Sequence, residues 1–251
     1  PQSAILPPEL KKLGAWINQG GQILWLQDPQ SAPQPELAQL LGVEWRPGYV
    51  MYPKFEEQEL PHPSYLYARP NSQNSLTQKL SSNVLMAQAS SPQAIDGSGW
   101  QSDSLLLSYA PAFISNNLAQ LEPQAGSSIG AFDLAISLER PRPGSTAKPR
   151  AGEPYVNPAD LPRQRVVMVG DSDFLSDGGY MRGSNREFGL NVVQWLAHRD
   201  KQINIEVPRS TDNRLRLSDA TQKLLMWGFQ AGLPLLILLC GLGYWWVRKR
   251  R

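Results

Sequence analysis

Gly170-Asp171-Ser172-Asp173-Phe174 follows directly on the apolar run Arg165–Val169, RVVMV. A serine held on a turn after a buried strand can act as a nucleophile when a base lies within hydrogen-bond reach. Two carboxylates at i and i+2 can ligate a divalent cation, and the C-terminal ends of parallel strands are where open α/β sheets receive ligands. Each chemistry needs residues from elsewhere. Asp28, Asp133 and Asp177 are the acids that could complete a metal site at Asp171 and Asp173, and nothing in their spacing brings them there. The competing reading is that Asp171 or Ser172 caps the turn after the strand. We favour it, and expect no catalytic residue, no metal and no cofactor.

The Gly-Asp-Ser block resembles the first block of GDS-type esterases, which pair their serine with an Asp-x-x-His unit late in the domain. Here Trp195, not Asp, stands three places before His198. Other signatures are also missing: there is no phosphate-binding Gly-x-x-x-x-Gly-Lys-[Ser/Thr] loop and no Gly-x-Ser-x-Gly elbow. His62 sits in a Pro-His-Pro loop and reads as solvated, whereas His198 ends a helix, where a partly charged imidazole suits the dipole. The single cysteine, Cys240, excludes an intramolecular disulfide framework and a cysteine zinc site. Glu56-Glu57-Gln58-Glu59 reads as a solvated charge run. Tyr49, Tyr52, Tyr65 and Tyr67 among prolines, with an exposed-looking Trp100, admit a polysaccharide-binding module.

Charge is divided between two places. The chain sums to +2, yet Arg248, Lys249, Arg250 and Arg251 alone carry four positive charges, which leaves the remainder at −2. A slightly acidic body argues against nucleic-acid binding.

The elements that must position the turn read as an α/β alternation. Pro7-Pro8-Glu9 opens a helix whose apolar face is Leu10, Leu13, Trp16 and Ile17, and Gly20-Gly21 ends it. Gln22–Gln27 reads as a buried strand, and 35–41 as a short helix. Residues 42–80 read as loops and short strands; Val84–Gln88, Ser104–Tyr109, Ala131–Leu138 and Arg165–Val169 read as strands. Ser184-Asn185 caps a helix over about 186–198, with Phe188, Val192, Trp195 and Leu196 on one face. Ile203–Val207 returns as a strand. Such alternation predicts a mostly parallel sheet. Residues 140–162 form a Pro-rich excursion, and 208–223 a polar juxtamembrane stalk.

Leu224–Val247 carries no charge. At 1.5 Å rise per residue it spans about 36 Å, enough for a hydrocarbon core of about 30 Å. Trp227 near one end and Trp245-Trp246 at the other form an aromatic belt, and the basic tail 248–251 places the C-terminus in the cytoplasm. Residues 1–207 are then an extracytoplasmic domain, periplasmic in a Gram-negative cell. Gly228 and Gly232 offer a Gly-x-x-x-Gly contact for a partner helix.

Four blocks together resemble the gliding-motility-associated, GldG-type, auxiliary component of ABC-2 type transporters. They are Leu6–Leu10 through Gly20–Leu24 to Asp28-Pro29; Leu105–Ser108; Gly130–Ala135; and Val167–Leu175 followed by Asn185-Arg186 and Asn191-x-x-x-Trp195-Leu196. The resemblance implies an extracytoplasmic domain similar to class I glutamine-amidotransferase-like α/β folds, anchored in the bacterial inner membrane. It also implies that an N-terminal membrane helix and the first part of the domain precede Pro1. Its partners would be an ABC-2 permease, the ATPase subunit and the bilayer. The amidotransferase nucleophile is a cysteine on a strand-to-helix turn, and the ectodomain holds none, so the resemblance implies a non-catalytic role. The alternative functions are an extracytoplasmic hydrolase using Ser172 or a metal at Asp171/Asp173, and the polysaccharide-binding module.

Overall fold

The computed structural model describes residues 3–145, 157, 161–204 and 219–250. Two compact units divide the chain, Pro1–Glu206 and Val207–Arg251.

In the first unit, helix α1 (Pro7–Asn18) starts on prolines whose missing N–H groups are harmless there, and Glu9 accepts the Leu6 N–H at 3.1 Å. Strand β1 (Ile23–Leu26) and helix α2 (Pro35–Leu41) follow where the sequence places them. The stretch from 42 to 80 holds β2 (Val43–Arg46), β3 (Tyr49–Met51) and β4 (Tyr65–Pro70). Next come β5 (Val84–Ala87), β6 (Ser91–Ala94), β7 (Gln101–Leu107), β8 (Ala112–Ser115), β9 (Ile129–Gly130), β10 (Asp133–Pro141), β11 (Arg163–Val169) and helix α3 (Asn185–Leu196).

The main sheet has six strands in the order β1-β11-β10-β7-β4-β5. Only β1 and β11 are parallel; β11–β10, β10–β7, β7–β4 and β4–β5 are antiparallel. The expected mostly parallel sheet is therefore corrected to a mixed one. A parallel neighbour needs a long crossover, usually helical, and only β1 and β11 meet that condition with helices packed against them. The Pro-rich excursion instead joins adjacent antiparallel strands. Its ends are held together by the register Pro141 to Arg163 and by the Arg142 N–H donating to the Pro162 carbonyl at 2.7 Å; residues 146–156 and 158–160 lie outside the described residues. Two small sheets, β2-β6 and β3-β8-β9, complete the unit.

Residues 166–169 of β11 are buried on both faces, which is why they read as an unbroken apolar run. Val166 and Met168 pack with Trp25, Ile17, Leu37 and Leu41 under α1 and α2. Val167 and Val169 pack with Leu66, Val84, Met86, Leu106, Phe188 and Val192 in a larger core that includes α3. Gln164 is fully buried; its Nε2 donates to the carbonyls of Ile17 at 2.7 Å and Gly21 at 2.9 Å, serving the C-terminal end of α1.

A 3-10 turn, Asp200–Gln202, follows α3, and Ile203 and Asn204 continue as turn where a strand is expected; the rest of that segment and residues 208–218 of the stalk lie outside the described residues. In the second unit residues 219–223, the end of the expected stalk, are helical. Helix α4 (Asp219–Trp227) passes through one π turn (Gly228–Gly232) into α5 (Leu233–Lys249). Pro234 explains the wide turn: it has no N–H to donate, and its ring crowds the carbonyl of Gln230 four residues back. Lys223–Trp246 is long and apolar enough to cross a membrane. Past its end the basic tail folds onto the tryptophans, with Lys249 4.9 Å from the Trp245 ring centre and Arg250 3.6 Å from that of Trp246.

Candidate functional site

The turn after β11 is crowded before any side chain is considered. The Gly170 N–H donates to the Leu134 carbonyl at 2.8 Å, and its carbonyl accepts the Ser90 N–H at 2.7 Å. A Cβ at position 170 would overlap the Ser90 carbonyl oxygen. Glycine is thus required there by close backbone approach.

Asp171 is 1% exposed. Its Oδ2 accepts the Ala87 N–H at 2.8 Å and its Oδ1 the Asp173 N–H at 2.7 Å. Burial pushes its pKa up to about 7, against the pull of those two backbone donors and with help from the nearby Asp173 and Asp28 charges. Ser172 is clamped by Asp28 at the end of β1: its N–H donates to Oδ1 and its hydroxyl to Oδ2, both at 2.6 Å. Asp28 is thus the one outlying aspartate brought to the turn. Asp177 is exposed, and Asp133 lies elsewhere, where desolvation raises its pKa against Ser104 and Arg46. Among the described residues no group of three or more His, Cys, Asp and Glu could hold a metal ion. Phe174 is buried with its ring 5.6 Å from Phe188.

The helix residues of the same block act on the sheet. Strand β5 is an edge strand, and Asn185 bonds its open side: the Leu85 N–H donates to Oδ1 at 2.8 Å and Nδ2 donates to the Leu85 carbonyl at 2.9 Å. Asn185 Nδ2 also reaches the Phe174 carbonyl at 3.2 Å. With Asp171 on Ala87 and the Ser184 N–H on the Asn83 carbonyl, side chains and a helix start close the edge, and the sheet curls round until β5 meets the end of β11. Asn191 donates to the Leu76 carbonyl at 2.8 Å and accepts the Asn204 N–H at 2.9 Å. Trp195 lies under Arg165, whose guanidinium sits 4.7 Å from the ring centre, donates to the Trp195 carbonyl and grips Asp200 with two hydrogen bonds.

Neither histidine serves the turn. His62 is not a solvated loop residue; its Nδ1 accepts the Ser64 N–H and its Nε2 donates to the Leu118 carbonyl at 2.9 Å. His198 stands 2.9 Å from Gln22 Nε2, so its own Nε2 accepts. Desolvation, and then Arg165, lower its pKa, against Asp200 and Glu139, which raise it. Cys240 lies exposed on α5.

The turn forms one wall of a cleft of about 500 Å³. Its floor is the outward face of the β4–β5 hairpin. Leu66, Ala68, Val84 and Met86 point into the core, so Tyr65, Tyr67, Leu85 and Ala87 face the other way and line the cleft. Glu59, Asp173 and Arg182 supply charged groups, with Asp171 behind the wall. The tyrosine cluster therefore divides: Tyr52 is buried 6.3 Å from Tyr109, while Tyr65 and Tyr67 line the cleft. Trp100 is not exposed; it is half-buried with Arg140 stacked 4.1 Å from its ring centre. Strand alternation within Tyr65–Pro70 was the available signal for the cleft, hidden by the flanking prolines.

No family model and no curated protein matches the chain. Among solved structures, the chain is similar to one described as "mmIFT52 N-terminal domain", at TM-score 0.49 and 12% identity, over 82% of this chain and 76% of that one.

Proposed function

We propose that this chain is a non-catalytic, membrane-anchored auxiliary subunit of an ABC-type export complex of the GldG type, with residues 1–207 extracytoplasmic and the basic C-terminus cytoplasmic. The observation that carries the non-catalytic part is the spending of the turn's polar groups on structure. Both oxygens of Asp171 hold backbone N–H groups, Asp28 takes both donors of Ser172, and Asn185 is committed to Leu85. The apolar helix with tryptophans at both ends and four basic residues beyond it supports an inner-membrane anchor of that orientation. An amidotransferase-like ancestry of the sheet is part of this proposal, as is association with an ABC-2 permease and its ATPase.

The test is purification of the tagged full chain from native membranes in mild detergent. Permease and ATPase should co-purify, and should do so equally with Ser172→Ala. A chain that emerges alone overturns the export role.

A second reading, an extracytoplasmic hydrolase, draws on Asp171, a carboxyl group poised near neutrality behind the wall of an open cleft. Ester hydrolysis by the purified chain that disappears in Ser172→Ala would favour it.

A further inference from the structure

The cleft has a chemistry that the structural duties of the turn do not absorb. Two tyrosines alternate along one strand, so their rings form platforms roughly 7 Å apart. The walls present hydrogen-bonding groups of both signs, with Asp173 and Glu59 as acceptors and Arg182 as donor. Its volume of about 500 Å³ falls within the range of about 300–1,000 Å³ common to small-molecule sites.

Three classes of ligand fit poorly. An extended peptide cannot add a strand to β5, because Asn185 occupies both the N–H and the carbonyl of Leu85 and Asp171 holds Ala87. A phosphate or other anion would meet Glu59 and Asp173 against one guanidinium. A divalent cation lacks a ligand cluster among the described residues. A neutral polyhydroxylated ring fits: its C–H face stacks on tyrosine, its hydroxyls donate to carboxylates, and its ring and hydroxyl oxygens accept from arginine.

We propose that this cleft is a saccharide-binding site, with Tyr65 and Tyr67 as stacking platforms and Asp173, Glu59 and Arg182 as hydroxyl partners. It goes beyond the export reading and stands whether or not the chain binds a permease.

The experiment uses the full chain in lipid nanodiscs free of glycoside detergent. Neutral tetrasaccharides (cellotetraose, maltotetraose and chitotetraose), an oligouronate and the diamine putrescine are titrated by calorimetry and by saturation transfer to ligand protons. At least one neutral tetrasaccharide should bind. Tyr65→Ala and Tyr67→Ala should each weaken it about tenfold, and Tyr67→Phe should retain it. Asp173→Asn and Arg182→Ala, both at the surface, should weaken binding several-fold with an unchanged unfolding midpoint. They keep the test decisive if a tyrosine variant misfolds. Absence of binding by every neutral sugar at millimolar concentration overturns the proposal. So does sugar binding indifferent to all these substitutions, and so does binding of putrescine alone, which would make the cleft a cation site.

Discussion

Asn185 uses one side-chain amide to satisfy both the N–H and the carbonyl of Leu85, one hundred residues earlier, in place of the strand that would otherwise pair there. Replacing the fully buried Asn185 by Ala leaves both groups, and the Phe174 carbonyl, without that partner. Each buried unsatisfied group costs about 1–3 kcal/mol, so a loss of about 3 kcal/mol is expected in urea unfolding. Amide exchange at Leu85 should accelerate beyond the global effect. An unchanged exchange rate there would contradict the assignment.

Asp171 makes the first unit pH-sensitive. Its folded pKa, about 7, lies above the unfolded value of about 3.9. Over that interval the folded state binds more protons, so the stability owed to this group is complete below about pH 4 and is lost as pH rises through about 7. Asp171→Asn should flatten that slope. The parent cost should be about 1–3 kcal/mol, because an amide offers one oxygen where two N–H donors, from Ala87 and Asp173, need acceptors. Denaturant midpoints at several pH values between 4 and 8 would decide it.

Two glycines eight residues apart should behave oppositely. A methyl group at Gly170 would overlap the Ser90 carbonyl oxygen, whereas one at Gly178 meets only Ser176 Oγ at 3.9 Å. Gly170→Ala should prevent folding or cost several kcal/mol, since backbone cannot give way cheaply. Gly178→Ala should stay within about 0.5 kcal/mol of the parent. Thermal unfolding of the pair tests this directly.

Arg165 and Asp200 form one ion pair with unequal stakes. The Asp200 side chain is 56% exposed, so Asp200→Ala should cost about 1 kcal/mol or less. Arg165 is buried, also binds Glu139 and the Trp195 carbonyl, and covers the Trp195 ring. Arg165→Ala should therefore cost about 3 kcal/mol or more. Equal costs would mean that the pair itself, rather than the packing of Arg165, holds α3 to β11.

What could be read from the chain follows from how local each signal is. Helices α1, α2 and α3 and strands β1 and β11 announce themselves by apolar spacing, because each buries a whole face or both faces against neighbours. The short pairs β2–β6 and β3–β8–β9 do not; β6 contains Pro92, which in sequence argues against a strand. Alternation of helix and strand in the first forty residues points to parallel strands, whereas among the described residues the later strands are joined without crossover helices and pair antiparallel. At the site, the block Gly170–Phe174 was visible as a turn, but the partners that explain it were not. Ala87 lies 84 residues away and Asp28 144, and no spacing rule links them.

The closed ends of the Pro-rich excursion bear on how this protein could be varied or instrumented. Because Pro141 faces Arg163 and Arg142 binds Pro162, chain inserted between them enters and leaves at one point, with no strand displaced among the described residues. Loop closure then penalises length only weakly, about 0.6 kcal/mol for each doubling. The hairpin between β10 and β11 is thus a natural port, where a reporter domain or an affinity handle should be carried without disturbing the sheet, the closed edge or the cleft.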